Sequence, residues 1–212
     1  MPLKINVPYA EKELAKEKGA FWDSENRTWF VPDHKDINLF SKWIDTEKVS
    51  LIAKAPFWLG VNQKLCWKCH ERTEVIAFSS NKFLVYDYPD DDDDSLPEWF
   101  IQDCFSFFSM PNYIEKEVID IISSRYSFFK LGFSKTVNGK YWANHCIHCN
   151  AIQGDFFMHS EPGGEFCPVD MDGYKSITLI EVPYKFDLMI NASYSWASND
   201  MEIFKYARRA NW

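Results

Sequence analysis

No stretch of this 212-residue chain approaches 18 consecutive apolar residues, so no membrane-spanning helix is expected. Residues 1–21 lack the basic start and apolar core of a secretory signal. The expectation is a soluble cytoplasmic protein whose six cysteines are thiols or metal ligands rather than disulfides. Positive charge is also short: 23 Lys and Arg face 31 Asp and Glu, a net charge of −8. That field disfavours non-specific attachment to nucleic acid or anionic membrane and suits a basic protein partner. Signatures of known chemistry are missing as well. There is no Gly-rich phosphate loop leading into Lys-Ser/Thr, no His-Glu-x-x-His and no Gly-x-Ser-x-Gly. These absences lean away from an enzyme. Residues 45–50 hold no Pro or Gly run that would make a flexible linker, so the N-terminal unit is expected to dock on the rest.

Aromatics are in excess: 9 Trp, 10 Tyr and 18 Phe make 17% of the chain. They favour strands, bring large buried area and concentrate at interfaces. The first fifty residues read as one unit. Residues 3–7 alternate as a short strand, and 11–18 place acids early and lysines late, as a helix ending at Gly19 does. Residues 21–23 and 28–31 flank a polar turn as a hairpin would, and 38–44 suit a short helix. Farther on, 75–78 and 83–86 predict a hairpin joined through 79–82. The spacing of Ile101, Cys104, Phe105 and Phe108 predicts a helix, and Ile114, Val118, Ile121 and Ile122 a second one. Asn138-Gly139 marks a hairpin between 128–137 and 140–144. Residues 152–158 and 176–182 read as strands, and 200–209 as a closing helix. The fold class is therefore α+β. It joins a small βαββ-like module over 1–48 to a β-rich zinc-knuckle body over 49–212, with a helical insertion at about 95–125.

The run Asn6-Val7-Pro8-Tyr9, then Lys12, Ala15-Lys16, Gly19-Ala20, Trp22-Asp23 and Trp29-Phe30-Val31-Pro32 carries a recognisable pattern. It resembles a small bacterial domain of unknown function, found alone or attached to plasmid primase-like and other mobile-element proteins. The likeness covers residues 3–44, with Phe21 standing where related domains often carry Arg or Lys. The resemblance implies a link to DNA metabolism without an activity. On that reading Lys12, Lys16, Trp22 and Trp29 are the candidate nucleic-acid contacts. The plainer reading is that Trp22, Trp29 and the glycine build a small core.

The strongest chemical signal is a pair of Cys-x-x-Cys turns, Cys66/Cys69 and Cys146/Cys149. Each turn aims two thiolates one way, and two such turns complete a tetrahedral shell for one structural zinc ion. Residues 70–145 separate the pairs, 76 in all, against roughly 15–20 in a compact zinc ribbon. Loop closure costs rise slowly with length, so an insertion between two neighbouring hairpin tips can carry that distance. His70, His145 and His148 stand beside the cysteines as substitute ligands. Asn150 sits where a knuckle needs a left-handed residue. Cys104 suits a core position, and Cys167 with His159 makes a weak second pair.

Three functional readings follow. The first is a non-enzymatic, zinc-stabilised protein-interaction protein, an adaptor or a toxin-neutralising, immunity-like factor. Its basic protein partner would meet the acidic run Asp90, Asp91, Asp92, Asp93 and Asp94, which otherwise serves as a solvated loop. The second is a nucleic-acid-associated accessory factor of a mobile element, using the knuckles and the N-terminal module. The third is a zinc-dependent enzyme of unrecognised type, which requires an open coordination position.

Overall fold

The computed structural model describes residues 2–88, 96–195 and 200–212. The acidic run Asp90–Asp94 lies outside the described residues. Strand β1 (Leu3–Ile5) leads to helix α1 (Lys12–Lys18), then to β2 (Phe21–Asp23) and β3 (Thr28–Val31). The strands pair antiparallel in the order β1-β3-β2. Gly19 ends α1 at φ 98°, a left-handed conformation that lets its N–H reach the carbonyls of Ala15 and Lys16. A 3-10 turn over Ile37–Trp43 follows, started by the Asp36 carboxylate, which accepts the Asn38 N–H.

Strands β4 (Leu51–Ala53) and β5 (Trp58–Leu65) are nearly continuous, as are β6 (Arg72–Ser80) and β7 (Phe83–Asp87). Because Trp58 faces Ser79 and Ala53 faces Phe83, residues 51–65 and 72–87 form one long bent hairpin. The hairpin expected through 79–82 is therefore corrected. Those residues are a kink, and β7 pairs with β4 rather than with β6. Ser79 and Ser80 hydroxyls bond the carbonyls of Trp58, Lys54 and Lys82 around the kink, and the Lys82 carbonyl also accepts the Lys54 N–H.

The predicted helix through Ile101 to Phe108 is also corrected: the chain there forms β8 (Glu98–Gln102) and β9 (Ser106–Ile114). Phe107 and Phe108 are both buried although they point to opposite faces of β9. A strand covered on both faces is a continuous apolar run, and periodicity alone cannot tell it from a helix. The helical part of 95–125 shrinks to α2 (Lys116–Arg125). Strands β10 (Phe129–Ser134) and β11 (Gly139–Asn144) make the expected hairpin, turning at Asn138 with φ 51°. The strand expected over 152–158 reduces to one bridge between Ile152 and His145, followed by a short helix α3 (Asp155–His159). After α4 (Met171–Ser176) come β12 (Thr178–Glu181) and β13 (Leu188–Tyr194). The closing helix stops early: α5 (Asp200–Tyr206) gives way to β14 (Arg208–Ala210), which runs parallel to β12.

Among the described residues the body forms a nine-stranded sheet in the order β14-β12-β5-β6-β9-β13-β4-β7-β8, beside the two-stranded β10-β11. The mixture is α+β and rich in sheet. One buried cluster centres on Phe57, Phe78, Phe83 and Phe108 under α2. A second surrounds Phe105, Phe107 and Phe166. The third joins Leu3, Ile5, Trp29 and Phe40 to Val49, Ile52 and Trp99 of the body, so the N-terminal module is docked. The Asn38 amide reinforces the junction by bonding both the N–H and the carbonyl of Trp99, at 2.7 and 3.2 Å.

Within α3, the buried Asp155 carboxylate accepts the N–H of Met110 at 2.7 Å. Met110 has φ 50°, and nearby the pairing of β9 with β13 shifts register. Burial raises the Asp155 carboxyl to about 7 against the pull of the Met110 N–H and the Lys64 charge. An acid raised in the folded state binds more protons there than when unfolded, so its neutral form stabilises the fold below that value. This contribution is lost as pH climbs towards about 7. Asp155→Asn keeps an acceptor for Met110 without the charge. It is expected to gain stability relative to wild type as pH rises from about 5 to about 7. Denaturant midpoints of both proteins across that range check this, and parallel curves would contradict it.

Candidate functional site

The first knuckle is the tip of the β5–β6 hairpin, where Leu65 pairs with Arg72. The second follows β11, where His145 bridges Ile152. The two tips are built alike. The Cys66 N–H bonds the Glu71 carbonyl, and the His70 N–H returns to the Cys66 carbonyl, both at 2.9 Å. The Cys146 N–H bonds the Ala151 carbonyl at 2.8 Å, and the Asn150 N–H bonds the Cys146 carbonyl at 2.9 Å. His70 and Asn150 occupy the same left-handed position, with φ 61° and 60°. Backbone N–H groups of Lys68 and His148 each point at a sulfur, Cys66 and Cys146 respectively, at 3.4 Å.

The tips also clasp each other. Trp67 Nε1 donates to the Ile152 carbonyl at 2.8 Å, and His148 Nε2 lies 2.9 Å from the Arg72 carbonyl. Each accepting carbonyl belongs to the residue six after the first cysteine of its own knuckle. The residues seven after are engaged too. Thr73 Oγ1 accepts the Ile147 N–H at 3.1 Å, and Gln153 Nε2 donates to Cys66 Sγ at 3.4 Å. Thr73 and Gln153 are both fully buried.

All four cysteine sulfurs lie within 4.8 Å of one another. Cys66 and Cys149 are 3.6 Å apart, as are Cys69 and Cys146. Zinc–sulfur bonds near 2.3 Å in a tetrahedron put sulfurs about 3.8 Å apart, so the set is compatible with a metal ion such as zinc. The electrostatics agree with a need for a cation. Burial pushes the Cys66 thiol up, yet N–H donation from Cys69 and Lys68 and the neighbouring sulfurs bring it down to about 6. Cys69 accepts the Glu71 N–H, but burial and the other three sulfurs hold it up at about 12. Burial pushes Cys146 up too, but N–H donation from Cys149 and His148 brings it below its ordinary value. One sulfur of each knuckle therefore favours the thiolate, while Cys69 resists until positive charge arrives.

The candidate histidines fall outside this group. His70 serves the left-handed turn, His148 holds the Arg72 carbonyl, and His145 Nδ1 lies 3.0 Å from the Ala143 carbonyl. His159 packs against the rings of Phe107 and Phe166, and burial lowers it to about 3, so it is a neutral core residue. Cys104 is half-buried against the first core cluster. Among the described residues the four cysteines are the one group able to hold a metal. Sequence reading missed Thr73 and Gln153. Aligning the two knuckles on their cysteines would have flagged both, since they occupy equal offsets.

The N-terminal candidates come together as well. Lys12, Lys16, Trp22 and Trp29 line one open recess with Val7 and Tyr9. Trp29 is buried, whereas Trp22 is 50% and Tyr9 81% exposed. The indole rings of Trp22 and Trp29 meet at 5.6 Å, tilted by 60°. Lys12 Nζ sits 4.0 Å above the Tyr9 ring and bonds its hydroxyl at 2.9 Å. Lys12 and Lys16, four apart on α1, share a helix face. Tyr9 was absent from the sequence-based contacts, although it stands in the motif that carried the resemblance.

Residues 3–45 match the family model of a domain of unknown function (DUF5710), in agreement with the motif. The chain is similar to a DNA primase TraC of Escherichia coli, 51% identical over 78 residues, covering 34% of this chain and 5% of the primase. A second DNA primase TraC of Escherichia coli is 46% identical over 39 residues, covering 18% of this chain and 4% of that protein. The chain thus spans a small fraction of the length of these curated relatives. No solved structure matches. No helix among the described residues is long and apolar enough to cross a membrane.

Proposed function

We propose that this chain is a nucleic-acid-associated accessory protein. Its N-terminal module makes the contact, and its body is a β scaffold braced by one zinc ion on Cys66, Cys69, Cys146 and Cys149. The observation carrying this reading is the recess, where two lysines rim exposed aromatic faces. The likeness to DNA primase TraC supports it. Four thiolate ligands make a closed shell of structural type, which leaves no position for a substrate. The protein-interaction reading drew on the acidic surface, the missing catalytic motifs and an aromatic excess much of which packs inside the three clusters. Its partner site, the acidic run, lies outside the described residues.

The net charge of −8 limits how much binding the overall field can supply, so the contact must be local. Each lysine that neutralises a phosphate contributes about 0.7–0.9 to the slope of log affinity against log salt. Fluorescence anisotropy of labelled oligonucleotides with the zinc-loaded chain tests this. Binding is expected at low salt, and the Lys12→Gln/Lys16→Gln variant is expected to bind more weakly with a slope flatter by about 1.5. Absence of binding to every probe at the lowest salt would overturn the proposal.

A further inference from the structure

We infer that the recess selects single-stranded polynucleotide by stacking an unpaired base on the exposed faces of Trp22 and Tyr9. This rests on the proposed nucleic-acid role and names the form of ligand it takes. The geometry argues against a duplex reader. Helix α1 has seven residues, and its Ala15 is buried against the module core, so it offers little length to enter a major groove. Two rim lysines on an acidic chain supply too little counterion release for tight duplex binding. Aromatic faces, by contrast, contribute only where bases are unpaired and their π-faces accessible.

The recess is prepared for such a base. Trp22 rests on buried Trp29, which fixes the plane of its indole while leaving half of it open. The Lys12 ammonium holds one face of Tyr9, and its hydroxyl bond limits rotation of the ring. Lys12 and Lys16 line the same recess and would meet the phosphates flanking a stacked base, Lys16 exchanging its exposed pairing with Glu13 at 3.1 Å. Stacking tolerates any base, so the expected preference is for strandedness rather than sequence.

The test uses the full zinc-loaded chain with three probes of equal length: oligo(dT), oligo(rU) and a mixed-sequence DNA duplex. Variants are Tyr9→Ala, Trp22→Ala and, as a conservative control, Tyr9→Phe. Tyr9 and Trp22 are exposed enough that both alanine variants should fold, which circular dichroism verifies. The inference expects tighter binding of one or both single strands than of duplex. It also expects about tenfold or greater loss in each alanine variant, with Tyr9→Phe close to wild type. Equal affinity for duplex, or alanine variants that bind single strands like wild type, would overturn the stacking inference. The nucleic-acid role would then survive on the lysines. Failure of every probe to bind would remove both.

Discussion

Stripping the metal with a chelator is expected to lower the thermal midpoint by roughly 8–16 °C while leaving most of the sheet signal intact at low temperature. Mass action sets the size of the shift. A thousandfold excess of free zinc over its dissociation constant adds about 4 kcal/mol, and each kcal/mol moves a chain of this size by about 2–4 °C. The sheet survives because its three clusters close without the knuckles: Phe57, Phe83, Phe105 and Phe108 are buried well inside them. The metal-free tips keep the Trp67–Ile152, His148–Arg72 and Ile147–Thr73 contacts, but they lose the one bond network that ties all four cysteines together. Cys66→Ser and Cys149→Ser should reproduce the chelator effect, and adding chelator to them should do little more. An unchanged midpoint after verified metal removal would show that the four sulfurs do not brace the fold.

The knuckles were legible because their information is local. Cys-x-x-Cys fixes the turn, and neighbouring strand-like runs identify it as a hairpin tip. The N-terminal elements were legible for a similar reason: Gly19 and the charge gradient of α1 act within a few residues. Residues 98–114 were not legible because their decisive interactions are distant. β9 is flanked by β6 and β13, and its two faces are covered by rings such as Phe83 and Phe166, none of which its own spacing can announce. The kink at 79–82 was hidden likewise, since two short apolar runs around Ser-Ser-Asn-Lys look the same whether the chain reverses or bends. Arg208 and Arg209 appeared to finish a helix because basic residues suit a helix C-terminus. In the fold they form an edge strand beside β12, a pairing made across thirty residues. Joining Lys12, Lys16, Trp22 and Trp29 into one recess likewise required the β2–β3 hairpin to lie against α1.

Replacing Lys54 by methionine is expected to cost about 3 kcal/mol, because the buried Asp187 carboxylate loses a cation bonded to it. Lys54 Nζ bonds Asp187 at 2.5 Å and also pairs with Asp33 of the N-terminal module. The Asp187 side chain is fully buried, and its other oxygen accepts the Ala55 N–H at 2.9 Å. The lysine therefore neutralises an interior carboxylate and ties the module to the body at one point. Removing this cation makes the charged form of Asp187 costlier in a site where burial already pushes its carboxyl up. Protonation relieves the penalty at low pH, so the folded-state value of Asp187 in Lys54→Met moves up. The variant should lose further ground to wild type as pH rises through the range where wild-type Asp187, itself raised by burial, ionises. Adding Asp187→Asn to Lys54→Met removes the buried charge and should recover part of the loss and its pH dependence. The exposed Lys116–Asp120 pair provides the contrast, since surface pairs contribute about 0–1 kcal/mol and Lys116→Ala should be nearly silent. Urea midpoints for the single, double and surface variants at two pH values decide the matter. A Lys54→Met protein as stable as Lys116→Ala would show that Asp187 does not depend on its lysine.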